Sequence, residues 1–105
     1  MTAVVEVFHA LGDPIRLKMV ERLVRSQPCT IAAVSHGLGI TRQGARKHLQ
    51  VLVDAKLVVL EPRGREVHVR LETGALERAK AFIAGLERQW DRRLEALRRF
   101  VEEDS

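Results

Sequence analysis

The sequence predicts a mainly α fold with a small β-hairpin and a long C-terminal helix, in a single domain spanning residues 1–105. Three observations predict it. From Val4 to Leu52 the apolar residues recur at intervals of three and four, the period of a helix. Over 57–71 the period falls to two, that of a strand. From Gly74 the helical period returns and holds for about 28 residues, or about 42 Å of helix. The length suits one domain with a modest core. A composition that is 46% apolar suits a folded chain. Tyr is absent and aromatic residues are few, so that core must be aliphatic.

The elements follow in order. In "VVEVFHAL", Val4, Phe8 and Leu11 predict a short helix within 1–12, ending near Gly12. "DPIRLKMVERLV" predicts a second helix, with Asp13 as N-cap and Pro14 in the first turn. Ile15, Met19, Val20 and Leu23 form its apolar stripe, and Ser26, Gln27 and Pro28 break it. "TIAAVSHGLG" predicts a third helix, capped by Thr30, faced by Ile31, Val34 and Leu38, and stopped at Gly39. The fourth, "TRQGARKHLQVL", is capped by Thr41. Ile40 packs on Ala45 as a small hydrophobic staple. Ala45, Leu49 and Leu52 face inward, while Arg42, Gln43, Arg46, Lys47 and Gln50 face outward. Two helices joined by "GLGI" make a helix-turn-helix over 30–55.

"LVVLEPRGREVHVRLE" then alternates Val67, Val69 and Leu71 with Glu66, His68 and Arg70. Pro62 and Gly64 interrupt it, which predicts a hairpin over 57–71 with Arg63 and Arg65 at its tip. In the last helix, 74–102, an apolar stripe runs through Leu76, Ala79, Ile83, Leu86, Trp90, Leu94, Leu97 and Val101. A domain of this size is barely wide enough to cover such a helix. Part of the stripe must find cover elsewhere, most simply on a second copy. Val4, Phe8, Leu86, Trp90, Leu94 and Leu97 are the candidates for that interface, with 1–12 and 74–102 supplying it.

Charge points to the partner. The net charge is +4, and the excess is concentrated in the middle of the chain. Residues 1–40 hold four bases and three acids, 41–73 seven and four, and 74–105 seven of each. A helix with a cationic face, followed by a hairpin with a cationic tip, suits double-stranded DNA. Thr41 and the helix N-terminus can hold a phosphate. Arg42, Gln43, Arg46 and Lys47 are of the types that contact base edges and phosphates. Arg63 and Arg65 can reach a minor groove or backbone, and His48 can donate to a phosphate or pack at the helix edge.

This order of elements is that of a winged helix-turn-helix with a long C-terminal dimerisation helix. "FHALGDPIRLKMVERLV", "ITRQGARKHLQVLVDAKLV" and "RGREVHVRL" together resemble the ArsR/SmtB family of bacterial repressors over about residues 6–73. The resemblance implies a homodimer that represses transcription from an inverted-repeat operator near its own promoter. Two departures stand out. Arg46 occupies a position where the family usually has a small polar residue, and Lys56 one where it usually has glycine. The tail "QWDRRLEALRRFVEE" resembles the subgroup that lacks the metal-binding cysteines.

Other functions find less support. The paired cysteines of the metal-sensing relatives would fall at Thr30 and Ala32, and the last helix has no His. Cys29 with His9, His36, His48 and His68 shows no ligand spacing, so no metal or cofactor is expected. One cysteine forms no intrachain disulfide, which fits a reducing compartment. The N-terminus lacks the pattern of a signal peptide and no run is long enough to span a membrane, so the expected location is cytoplasmic. No phosphate loop, nucleophile motif or carboxylate pair suggests an enzyme. The alternatives are a helical adaptor that binds another protein through its last helix, or a thiol- or metal-responsive sensor. Nothing in the sequence assigns a small-molecule effector.

Overall fold

A computed structural model describes residues 2–104. Its elements are α1 (Thr2–Leu11), α2 (Pro14–Arg25), β1 (Cys29–Thr30), α3 (Ile31–Ser35), α4 (Arg42–Asp54), β2 (Val58–Arg63), β3 (Glu66–Leu71) and α5 (Thr73–Asp104). The molecule is elongated, 70 × 25 × 24 Å. The long dimension is the consequence of α5, whose 32 residues span about 48 Å.

The helix starts form for the reasons the sequence suggests. Asp13 accepts from the backbone N–H of Ile15 at 2.8 Å and of Arg16 at 3.2 Å, with Pro14 in the first turn. Thr30 accepts from Ala33 N–H at 3.1 Å and Thr41 from Gly44 N–H at 2.9 Å. Each cap satisfies donors that the first turn leaves without a helical partner. At the other end of α4, Leu57 N–H donates to the Leu52 carbonyl and Lys56 N–H to that of Val53, both at 2.9 Å. Lys56 takes the left-handed conformation this closure needs, at φ 61°.

Two expectations are corrected. The third helix ends at Ser35, short of Leu38 and Gly39, because the chain turns at Gly37 (φ 72°) and again at Gly39 (φ 70°). The apolar spacing of Leu38 continues past the helix; its side chain packs on the core from the turn. The sheet has three strands rather than a hairpin alone, in the order β1-β3-β2 and antiparallel throughout. Cys29 pairs with Val69 and Thr30 with His68. The expected hairpin is present, and its strands pair with Arg63 opposite Glu66 across the tip.

The core is aliphatic. Met19, Leu23, Leu49, Leu52, Leu57 and Val69 are fully buried, together with Val7, Val34 and small residues from α1, α4 and α5. Ala45 is buried as expected, with Ile40 half-buried against the same cluster. Only the first turns of α5, at Ala75 and Ala79, reach this core. From Ile83 onward its large apolar side chains are all exposed, Trp90 at 60%.

Candidate nucleic-acid interface

The sheet, α3 and the start of α4 surround an open cleft of about 430 Å³. Arg42 and Arg46 line it from α4, one helical turn apart, and Arg65 lines it from the hairpin tip. Thr30, Ser35 and Thr41 supply hydroxyls, and Glu66 the one acid, in the same lining. The fold thus brings four of the expected contact residues, Thr41, Arg42, Arg46 and Arg65, around one concavity. Gln43 and Lys47 lie exposed on α4 outside it.

Three scaffold features hold this arrangement. Arg22 of α2 donates to the carbonyls of Val34 at 3.1 Å and His36 at 2.6 Å, so it fixes the end of α3. Gln27 accepts from Leu71 N–H at 2.7 Å and anchors the end of β3. β1 bonds to the other side of β3, so the wing is tied to the helix-turn-helix through Thr30. The first two are side chain to backbone contacts between distant segments. The sequence carries no periodic signal for them; an Arg near a helix end is the nearest hint.

The cations differ in their state. Among the described residues Arg42, Arg46, Lys47 and Arg65 have no side-chain hydrogen bond or ion pair. Arg63 is held by Glu61 at 3.4 Å. Glu61 also accepts from Arg70 Nε at 2.9 Å, and that hydrogen bond, with the nearby Arg70 and Arg63 charges, holds its carboxyl below the ordinary carboxylate range. The hairpin tip therefore offers one unengaged arginine, Arg65, rather than two. His48 is half-buried, with Nδ1 3.2 Å from Arg16, on the side of α4 that meets α2. Free cations on one face raise the local potential for a polyanion, and release of its counterions favours binding.

Cys29 is half-buried in β1, and burial pushes its thiol above the ordinary value, partly opposed by Arg22. Redox sensing favours the opposite shift, toward the thiolate. Among the described residues no three His, Cys, Asp or Glu side chains gather as a metal-binding group. No helix is long and apolar enough to cross a membrane.

The expected interface residues lie along α1 and α5. Phe8 is 37% exposed, and its ring meets Phe82 edge-on at 5.9 Å. Val4 is half-buried, and Leu86, Trp90, Leu94 and Leu97 are exposed.

Comparison with known proteins places this architecture. Residues 11–61 match a helix-turn-helix domain family. The HTH-type transcriptional regulator YuzN of Bacillus subtilis (strain 168) is 35% identical over 65 residues, which cover 56% of this chain and 71% of that protein. An ArsR-like transcriptional regulator from Rhodococcus sp. RHA1 superposes with a TM-score of 0.80 at 28% identity, over 94% of this chain and 92% of its own. The winged helix-turn-helix DNA-binding domain of Mb0332 from Mycobacterium bovis, itself homodimeric, shares the fold with a TM-score of 0.63 at 24% identity, over 90% of this chain and 83% of its own. With the capped helix-turn-helix, the three-stranded wing and the long last helix, these likenesses show that the chain belongs to the ArsR family of winged helix-turn-helix transcriptional regulators.

Proposed function

We propose that the protein is a homodimeric repressor that reads an inverted-repeat operator in double-stranded DNA, with α4 in the major groove and the wing on the flanking backbone or minor groove. The observation that carries this reading is the set of unengaged cations Arg42, Arg46, Lys47 and Arg65 on α4 and the hairpin tip. Thr41, Gln43 and Arg63 complete the proposed contact surface, with Arg63 already engaged by Glu61; His48 lies at its edge, held by Arg16, and packs there instead of contacting phosphate. A twofold dimer presents two α4 helices about 34–36 Å apart, one helical turn of DNA. The exposed apolar faces of α1 and α5 supply the surface on which such a dimer forms. A reducing cytoplasm suits its lone thiol.

The test pairs sedimentation of the free protein with titration onto two duplexes, one holding an inverted repeat from upstream of its own gene and one of random sequence. A dimer that prefers the repeat by about a thousandfold or more is expected. A monomer with equal affinity for both duplexes would sink the reading.

A further inference from the structure

We infer that Glu61 restrains the wing: it keeps the Arg63 guanidinium on its own carboxylate and so leaves the hairpin tip one free cation for DNA instead of two. Glu61 is thereby a positioning residue that limits affinity for DNA of any sequence. This rests on the DNA binding proposed above and specifies how the wing takes part in it.

The strand register brings the groups together. Glu61 and Arg63 are two residues apart on β2, so their side chains leave the same face of the sheet. Across the hairpin, His68 lies opposite Glu61, Glu66 opposite Arg63, and Arg70 opposite Val59. Arg70 is therefore a diagonal neighbour of Glu61, within reach of a long side chain. Its Nε donates to Oε1 of Glu61 at 2.9 Å, while Oε2 accepts from Nη2 of Arg63 at 3.4 Å. One carboxylate thus bridges two guanidiniums, each through a different oxygen. Glu66, directly opposite Arg63, instead lies 3.8 Å from Nε2 of His68.

The two contacts are unequal. Arg70 makes the shorter one and also donates to the Leu71 carbonyl at 3.4 Å, toward the base of the hairpin. It anchors Glu61. Arg63 is 55% exposed and has no other partner among the described residues. An exposed pair of this kind is weak and yields to a phosphate. Until it yields, the Arg63 charge is met within the protein. Arg65, across the turn at Gly64, carries no such restraint.

The consequence follows from what a phosphate contact does. It adds affinity and carries no sequence information. A second free arginine on the wing would tighten the operator and a random duplex alike. What Glu61 withholds is affinity without selectivity.

The test is a double-mutant cycle on Glu61 and Arg63, read as affinity for operator and random duplexes at several salt concentrations. Glu61→Gln should tighten both duplexes alike, by about two- to fivefold for each wing engaged. The salt dependence should steepen by about one per wing, as for one added phosphate contact. In the Arg63→Ala background the same substitution should gain little, because the cation it would free is gone. The sign separates this role from a structural one, since a wing merely loosened by the substitution would bind less tightly. Unchanged or weaker binding by Glu61→Gln would overturn the restraint. So would an equal gain in the Arg63→Ala background, which would trace the effect to the lost acidic charge alone. A parent protein without measurable affinity for either duplex would overturn the DNA-binding reading, and this inference with it.

Discussion

The Arg16 guanidinium donates to Nδ1 of His48 at 3.2 Å while its Nε donates to the Ala10 carbonyl at 2.7 Å. One side chain of α2 therefore ties the C-terminal end of α1 to the edge of α4. Arginine cannot accept, so Nδ1 is the acceptor and the ring proton sits on Nε2. Arg16→Ala should lower the unfolding free energy by about 1–3 kcal/mol, because it leaves part-buried acceptors without a donor. His48→Ala should cost less, and it should leave the salt dependence of DNA binding unchanged. Urea unfolding and a salt titration check both. A salt slope lower by about one per contact would instead make His48 a phosphate ligand.

Arg46 and Arg65 share the cleft and should differ in what they read. Arg46 stands one turn into α4 on its outward side, where a side chain reaches base edges. Arg65 sits at the hairpin tip beside Gly64, suited to backbone or minor groove. Arg46→Ala should shrink the ratio of operator to random-duplex affinity, by about 1–3 kcal/mol per half-site. Arg65→Ala should weaken both duplexes alike and flatten the salt dependence by about one per contact. Arg63→Ala should do less, since Arg63 must first leave Glu61. The opposite pattern, with Arg65→Ala collapsing the ratio, would make the wing the reader.

Local patterns were legible in the sequence, and contacts between distant segments were not. Asp13, Thr30 and Thr41 are caps in the sequence and in the structure, because a cap is a feature of four adjacent residues. The hairpin and the long helix follow from period alone. β1 is two residues long and cannot display a period of two. The end of α3 was misread because Leu38 keeps helical spacing after the chain has turned at Gly37. At the site, the cationic face of α4 was plain. The pairing of Arg63 with Glu61, and of Glu61 with Arg70, depends on the strand register. Likewise the carbonyls that Arg16 and Arg22 hold belong to other helices, and only the packed fold selects them.

Glu61 gives the wing an acid-sensitive joint. The hydrogen bond from Arg70 holds its carboxyl below the ordinary value of 4.5. A carboxylate whose value is depressed on folding stabilises the native state above the unfolded value. That contribution fades as pH falls toward and through the folded value. The expected result is a Tm that drops more steeply for the parent than for Glu61→Gln as pH is lowered from about 6 to about 3. At the acid end the two curves should converge. Parallel curves throughout would show that the Glu61–Arg70 pair contributes nothing to wing stability.

Lys56 holds φ 61° at the close of α4, with its N–H on the Val53 carbonyl. A side chain there meets the steric penalty that glycine escapes. Lys56→Gly should raise unfolding stability by about 1 kcal/mol, and Lys56→Ala should not. Thermal unfolding of the three proteins decides it. Equal gains from Gly and Ala would place the effect in the lysine side chain and not in the backbone.

Trp90 separates folding from association. In the protomer it is 60% exposed and lies outside the core, which α5 touches only near Ala75 and Ala79. Trp90→Ala should therefore leave a soluble, folded protomer, with little change in unfolding measured at a concentration where the parent is also monomeric. In the proposed dimer the same ring is buried at the interface, where losing a large aromatic costs about 3–5 kcal/mol per ring. Self-association should weaken by at least about two to four orders of magnitude, since a twofold dimer loses two such rings. DNA binding should then lose its steepness with protein concentration and its preference for two half-sites, because a monomer engages only one. Sedimentation and operator titration, run on the same preparation, check both halves. A well-folded Trp90→Ala dimer with parental affinity would move the interface off this face of α5, and the exposed stripe would then need another partner.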